Sequence, residues 1–236
     1  MKSIYYLTTF ILFSIVLFLA FSVAWLFAYP FDRHRIVSHE ISRFWSKWIY
    51  RLNPWWRVRV SGMENIEKGK SYIVVSNHQA MLDIPLLYVL PFNFKWVSKE
   101  EVFHIPIFGW VLAMHDDIAI KRGGSAGAKK MLDKSNRMLK NGVSVIIFPE
   151  GTRTKTGKIG RFHQGAFLLA RKSKADILPV MIDGTFDAIK DWKVKTPHSF
   201  TVKIMEAVPY DPELTIEEIS NLMQQKIGAA FEQLHR

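Results

Sequence analysis

Cysteine is absent from all 236 residues. That absence removes disulfide scaffolds, thiolate metal sites, CxxC redox chemistry and a cysteine nucleophile together. Acidic residues are scarce, with 21 Asp and Glu against 32 Lys and Arg, and the net charge of +11 calls for an anionic partner. Nucleic acid, a lipid surface and a phosphorylated substrate all meet that requirement. His78, His104, His115 and His163 show no HExxH or comparable spacing, so neither a metal nor a cofactor is expected. Internal repeats and low-complexity segments are missing as well. What is present is 49% hydrophobic and 14% aromatic, enough for one ordinary domain with a buried core and a small appendage.

From Ser3 through Phe31 no charged residue occurs, and the run from Ile4 to Ala28 is dominated by Leu, Phe, Ile, Val and Ala. Roughly 20 apolar residues cross a bilayer core, so the run is long enough for a membrane helix. A cleavable signal peptide is the competing reading, but its apolar region is usually only about 7 to 15 residues long. The residues after the run are aromatic and basic, without a clean A-x-A site, which favours a retained anchor. The first 60 residues carry eight Lys and Arg against two Asp and Glu, 8 − 2 = +6. This positive flank places the chain beyond the anchor on the cytoplasmic side. Ile41, Phe44, Trp45, Trp48, Ile49 and Leu52 fall on one helical face, with Arg43, Lys47 and Arg51 elsewhere on the circumference. Such a helix suits a lipid interface; packing on the neighbouring domain is the alternative. The expected organisation is an anchor with an interfacial amphipathic helix over residues 1–60 and a catalytic domain over residues 61–236.

Beyond Gly62 short β-rich runs appear at 72–75, 95–97, 117–120, 143–148, 177–182 and 200–204, with helical stretches between them. That alternation predicts an α/β fold with a mostly parallel central sheet flanked by helices. One helix is expected from Ser125 to Lys140, ending at Asn141-Gly142, and a last one opens on the capping box Thr215-Ile216-Glu217-Glu218.

Polar residues gather just past the strand ends. Asn77, His78 and Asp83 come directly after the first apolar strand, with Asp83 near a helix start and about one turn from His78. A carboxylate there can accept from one imidazole nitrogen and leave the other as a proton acceptor near neutral pH. This is two thirds of a hydrolase triad without its nucleophile, which the substrate can supply. Taken alone H-x4-D is a common chance pairing. A second cluster, Phe148-Pro149-Glu150-Gly151-Thr152-Arg153, offers a turn glycine, a hydroxyl and a guanidinium fork suited to phosphate or carboxylate, with Lys155, Lys158 and Arg161 close behind. A solvated turn is the plain alternative. Lys121-Arg122-Gly123-Gly124 closes a third strand in the same manner. Open sheets of this kind bind ligands beyond the carboxyl ends of their strands, and three such clusters at one edge are less easily accidental than any one.

Asn77-His78-x4-Asp83, Arg122, Phe148 to Arg153 and Leu178-Pro179-Val180 resemble, in order and spacing, the four blocks of the glycerolipid acyltransferases of the 1-acylglycerol-3-phosphate acyltransferase (PlsC) type, from about Trp56 to Pro209. The second block departs slightly: Ile118-Ala119-Ile120-Lys121-Arg122 lacks the usual aromatic. The resemblance implies acyl transfer from acyl-CoA or acyl carrier protein to the hydroxyl of a lysophospholipid at a phospholipid bilayer, lysophosphatidate first among acceptors. It implies His78 as general base oriented by Asp83, direct attack without an acyl-enzyme, and a phosphate held by Arg122 and Arg153 with Asn77, Glu150, Gly151 and Thr152 shaping the site. Lys99, at another strand end, is a candidate donor to the oxyanion or to the donor's phosphates, with an ordinary surface lysine as the alternative. Two other classes stay in view: a membrane hydrolase using Ser76, and a basic module binding anionic lipid. Nucleic acid is not expected as a partner, because no aromatic platform or DNA-reading motif accompanies the charge.

Overall fold

Uninterrupted apolar runs suit strands covered on both faces. The computed structural model, which describes residues 2–121 and 124–235, arranges them that way. Seven strands form one sheet: β1 (Trp56–Ser61), β2 (Ile73–Ser76), β3 (Phe94–Lys99), β4 (Ile118–Ile120), β5 (Ser144–Ile147), β6 (Ile177–Asp183) and β9 (His198–Ile204). Their spatial order is β1-β9-β6-β2-β5-β3-β4, and every pairing is parallel except β6 with β9. A two-stranded hairpin, β7 (Ile189–Lys190) with β8 (Lys193–Val194), stands apart.

Alternation along each strand divides the core. Tyr72, Val74, Ile146, Leu178 and Val180 face a first layer made by α1 (Lys2–Ala28), α2 (Ile36–Arg51) and α3 (Asp83–Leu87). Ile73, Val75, Val145, Ile147 and Met181 face a second layer, α5 (Ser125–Lys140), α6 (Gly165–Ser173) and α7 (Ile216–Leu234); a short α4 (Phe108–Met114) packs on residues 100–104, the turn after β3. The α5 span matches the sequence expectation, and it stops where Gly142 takes φ 76° and Val143 N–H returns to Met138 O at 3.0 Å. The capping box of α7 forms: Glu218 N–H donates to Thr215 Oγ at 3.2 Å and Thr215 N–H to Glu218 Oε2 at 2.8 Å.

The two N-terminal helices lie along the first face of the domain. Asp32 starts α2 by accepting from Ile36 N–H at 2.7 Å and Val37 N–H at 2.8 Å. The side of α2 that meets the domain is Ser38, His39, Ser42, Ser46, Ile49 and Tyr50, since small hydroxyl residues one turn apart permit close approach. Its aromatic stripe turns toward α1 instead: Trp45 Nε1 donates to Ser14 Oγ at 3.0 Å, and Phe44 and Trp48 meet the Phe13 ring. Helix α1 is held at both ends, by Tyr6 beneath Trp56 and by Trp25 Nε1 donating to Met114 O at 3.0 Å. Its other side carries exposed apolar residues, Leu12 and Leu19 at 60% among them. Strand β1, unexpected from sequence, runs across the residue 60/61 division: all of it pairs with β9.

Candidate active site

Strands β2, β3, β4, β5 and β6 run the same way, so their carboxyl ends share one edge. Where β2 leaves the ladder, Asn77 replaces the missing backbone pairing with its side chain. Its Nδ2 donates to Ile182 O at 2.8 Å and its Oδ1 accepts from Ile182 N–H at 2.9 Å. The amide is buried and occupied, and it anchors the turn that presents His78. Ser76 is fully buried with its hydroxyl donating to Asn77 O at 3.2 Å, which leaves no nucleophile for hydrolysis there.

The backbone of His78 is gripped on both sides. Its N–H donates to Glu150 Oε1 at 2.8 Å, and its carbonyl accepts from Thr154 N–H at 2.9 Å. The imidazole stacks on Phe148, ring centroids 3.9 Å apart at 6°, and Phe148 stacks in turn on Trp96 at 5.6 Å. His78 Nδ1 lies 2.7 Å from Asp83 Oδ2, so the Nδ1–H tautomer donates to the carboxylate and Nε2 is left as the proton acceptor, without a partner among the described residues.

Asp83 is fully buried, a position tolerable for a carboxylate only when its lone pairs are filled. Oδ2 also accepts from Gln79 N–H at 2.5 Å and Ala80 N–H at 2.8 Å, and Oδ1 accepts from the Thr185 hydroxyl. Thr185 N–H donates to Gln79 Oε1 at 3.2 Å, closing the network. Thr185, 102 residues beyond Asp83, was invisible to sequence reasoning because it stands in no motif, and Gln79 lies inside the block from Asn77 to Asp83 at a position to which no role was given.

Glu150 acts on backbone. Besides His78 it accepts from Gly160 N–H at 2.7 Å through Oε2, and burial raises its pKa above the ordinary carboxylate value despite those two donors. A Cβ at residue 160 would stand 2.9 Å from that oxygen, so glycine is needed for the contact. Gly151 turns the chain with φ 64°. Thr152 and Arg153 stand exposed beyond it, and no acceptor among the described residues engages the Arg153 guanidinium. Lys99 is the last residue of β3, half-buried at the same edge and in register with Ile120. Arg122 lies outside the described residues. Among the described residues no group of three or more His, Asp or Glu has a metal-binding arrangement.

A cavity of about 270 Å³ lies between the N-terminal helices and the domain, lined by Phe18 and Phe21 of α1, Trp45 of α2, and Trp96, Val111 and Leu112. Trp96 connects it through Phe148 to the imidazole. His115 and Asp117 also line it; burial lowers the His115 pKa to about 3 and raises that of Asp117 to about 7.

A family model described as Acyltransferase matches residues 57–183, more than half of the chain and all of the strand ends that form the site. The chain belongs to the acyltransferase family. This acyltransferase is 37% identical over 161 residues to a protein named "1-acyl-sn-glycerol-3-phosphate acyltransferase LPAT1, chloroplastic" from Arabidopsis thaliana, covering 67% of this chain and 45% of that one. It is 30% identical over 230 residues to the 1-acyl-sn-glycerol-3-phosphate acyltransferase of Limnanthes douglasii, covering 91% and 77%. The crystal structure of the 1-acyl-sn-glycerophosphate (LPA) acyltransferase PlsC from Thermotoga maritima superposes with a TM-score of 0.80 at 28% identity, covering 99% of this acyltransferase and 95% of that chain. The chain spans about half the length of the chloroplastic relatives it matches.

Proposed function

We propose that this acyltransferase moves a fatty acyl group from a thioester donor, acyl-CoA or acyl carrier protein, to the free hydroxyl of a lysophospholipid, with 1-acylglycerol 3-phosphate as acceptor and phosphatidate as product. The carrying observation is the His78–Asp83 pair at 2.7 Å, which leaves Nε2 without a partner among the described residues, with the exposed Arg153 next to Thr154, whose N–H holds the His78 carbonyl at 2.9 Å. Nε2 takes the hydroxyl proton, the alkoxide attacks the thioester carbonyl, the C–S bond breaks, and the imidazolium returns the proton to the departing thiolate. The buried Asp83 stabilises the transient imidazolium. Arg153 and Thr152 hold the acceptor phosphate, joined by Arg122 on the strength of its place in the sequence, and Lys99 donates to the oxyanion. Asn77, Glu150 and Gly151 build the loops instead of touching substrate. The acyl chain enters the cavity bounded by Trp96 and Leu112.

The exposed apolar side of α1 rests in one bilayer leaflet with the helix parallel to the surface, because a helix of 27 residues packed on the domain near both ends leaves no room for lipid around it. We assign the domain to the cytoplasmic face, whose anionic leaflet suits the basic flank. Purified enzyme and His78→Ala are assayed with labelled acyl-CoA and acyl carrier protein against a panel of lysolipids. Product from wild type alone supports the proposal, equal product from both defeats it, and a preference for an acceptor without phosphate removes the assigned role of Arg153.

A further inference from the structure

The positive charge of the chain is not spread evenly. Residues 121–175 hold fourteen Lys and Arg against two Asp and Glu, 14 − 2 = +12, which exceeds the +11 of the whole protein. Beyond the active-site loop, this stretch builds α5 and α6, which pack side by side on the second face of the sheet. Lys129, Lys130, Arg137 and Lys140 on α5 are exposed, as are Arg171 and Lys174 at the end of α6. One of the two acids, Glu150, is buried in the site, the other, Asp133, is tied to Lys172, and Lys134 pairs with Asp116 at 2.7 Å, while Lys129, Lys130, Arg137 and Lys140 have no carboxylate partner among the described residues. Both helices begin at the edge where His78 emerges, α5 just after β4 and α6 just after His163, whose N–H donates to Pro149 O at 2.8 Å.

We propose that this cationic face is the docking surface for an acidic acyl carrier protein; the inference rests on the acyl-transfer reading above and names which donor that site is shaped to receive. A small donor with a few phosphates needs only the cations at the loop. From Lys129 to Lys140 α5 rises about 17 Å, and cations spread over that length match an extended acidic macromolecular surface. An anionic bilayer is the poorer match. The exposed apolar residues of α1 mark the opposite side of the sheet, two layers of about 10 Å each away, beyond the Debye length of about 8 Å at physiological salt.

The test uses the full-length enzyme and the triple variant Lys129→Glu, Lys130→Glu, Arg137→Glu, three exposed side chains outside the catalytic and binding groups. Initial rates are measured with the same acyl chain on coenzyme A and on carrier protein, at low and high salt. The expected result is a loss of about tenfold or more in kcat/KM for the carrier-protein donor, with the coenzyme A donor within about threefold of wild type. Salt should slow wild type with the carrier protein and leave the variant nearly unaffected. Equal kcat/KM ratios for both donors in variant and wild type overturn the proposal. Equal losses with both donors together with weaker binding to anionic vesicles also overturn it, and assign the face to lipid. Wild type inactive with both donors overturns the acyl-transfer reading instead, a result distinct from either.

Discussion

Glu150→Gln separates holding the base from holding the substrate. Each carboxylate oxygen of Glu150 accepts from one buried backbone N–H, His78 at 2.8 Å and Gly160 at 2.7 Å. The amide keeps the shape but presents one NH₂ to a backbone donor, so one of the two bonds is replaced by a donor facing a donor. A hydrogen bond to a charged group contributes about 1.5–3 kcal/mol. Expressed wholly at the placement of the imidazole, that is a loss of about 10- to 150-fold in rate. Because the carboxylate touches backbone, the loss should fall on kcat while the KM for the lysolipid stays within about twofold. Glu150→Asp, one methylene short of spanning both amides, should do at least as badly. The assay is steady-state kinetics with the acceptor varied at saturating donor, alongside a thermal melt to register folding. Wild-type kcat in Glu150→Gln, or a loss confined to KM, would refute the bracing role and restore Glu150 to the substrate.

Asp83→Asn, which keeps an oxygen for Thr185 but weakens the hold on imidazolium, should lower kcat about 100-fold or more, and a fall of only a few-fold would remove Asp83 from the proton transfer. Burial holds the Asp117 pKa at about 7 in the folded chain against an ordinary 3.8, with Lys95 opposing only in part. A carboxyl with a raised folded pKa contributes stability that is complete below 3.8 and lost as pH rises through about 7. Asp117→Asn should therefore flatten the decline in melting temperature between mildly acidic and alkaline buffer, and parallel curves would count against it. Leu112→Trp, narrowing the cavity of about 270 Å³, should shift products toward shorter chains, and an unchanged profile would show that the chain lies elsewhere. Leu12→Glu with Leu19→Glu should weaken vesicle binding on the order of a hundredfold, from about 1.5 kcal/mol or more per apolar side chain withdrawn, read by co-sedimentation; undiminished binding would place the lipid contact on another surface.

The parts of this protein legible in its sequence are those coded over short distances. Strands buried on both faces show as apolar runs, α5 shows through its Asn141-Gly142 stop and α7 through its capping box, and each is decided by residues within a few turns. His78 and Asp83 belong here too, since one turn of chain brings them together. Strand β1 is hidden because Trp56-Arg57-Val58-Arg59-Val60 alternates with cations and reads as part of the basic flank, and only its parallel partner β9, distant in the chain, makes it a strand. The motif positions of Asn77 and Glu150 point to the substrate, yet their side chains close on the backbone of Ile182, His78 and Gly160. No local pattern distinguishes a polar group that meets a ligand from one that completes a ladder, because the partner is set by which loops cross. The same holds for Thr185 against Asp83, and for the stripe of α2, whose apolar period suited a lipid interface but whose Phe44 and Trp48 rings meet Phe13 of α1. Residue types and short spacings thus determined the chemistry available to this chain, while tertiary structure decided which groups remain free to perform it, since satisfying buried polar atoms depends on contacts far apart in sequence.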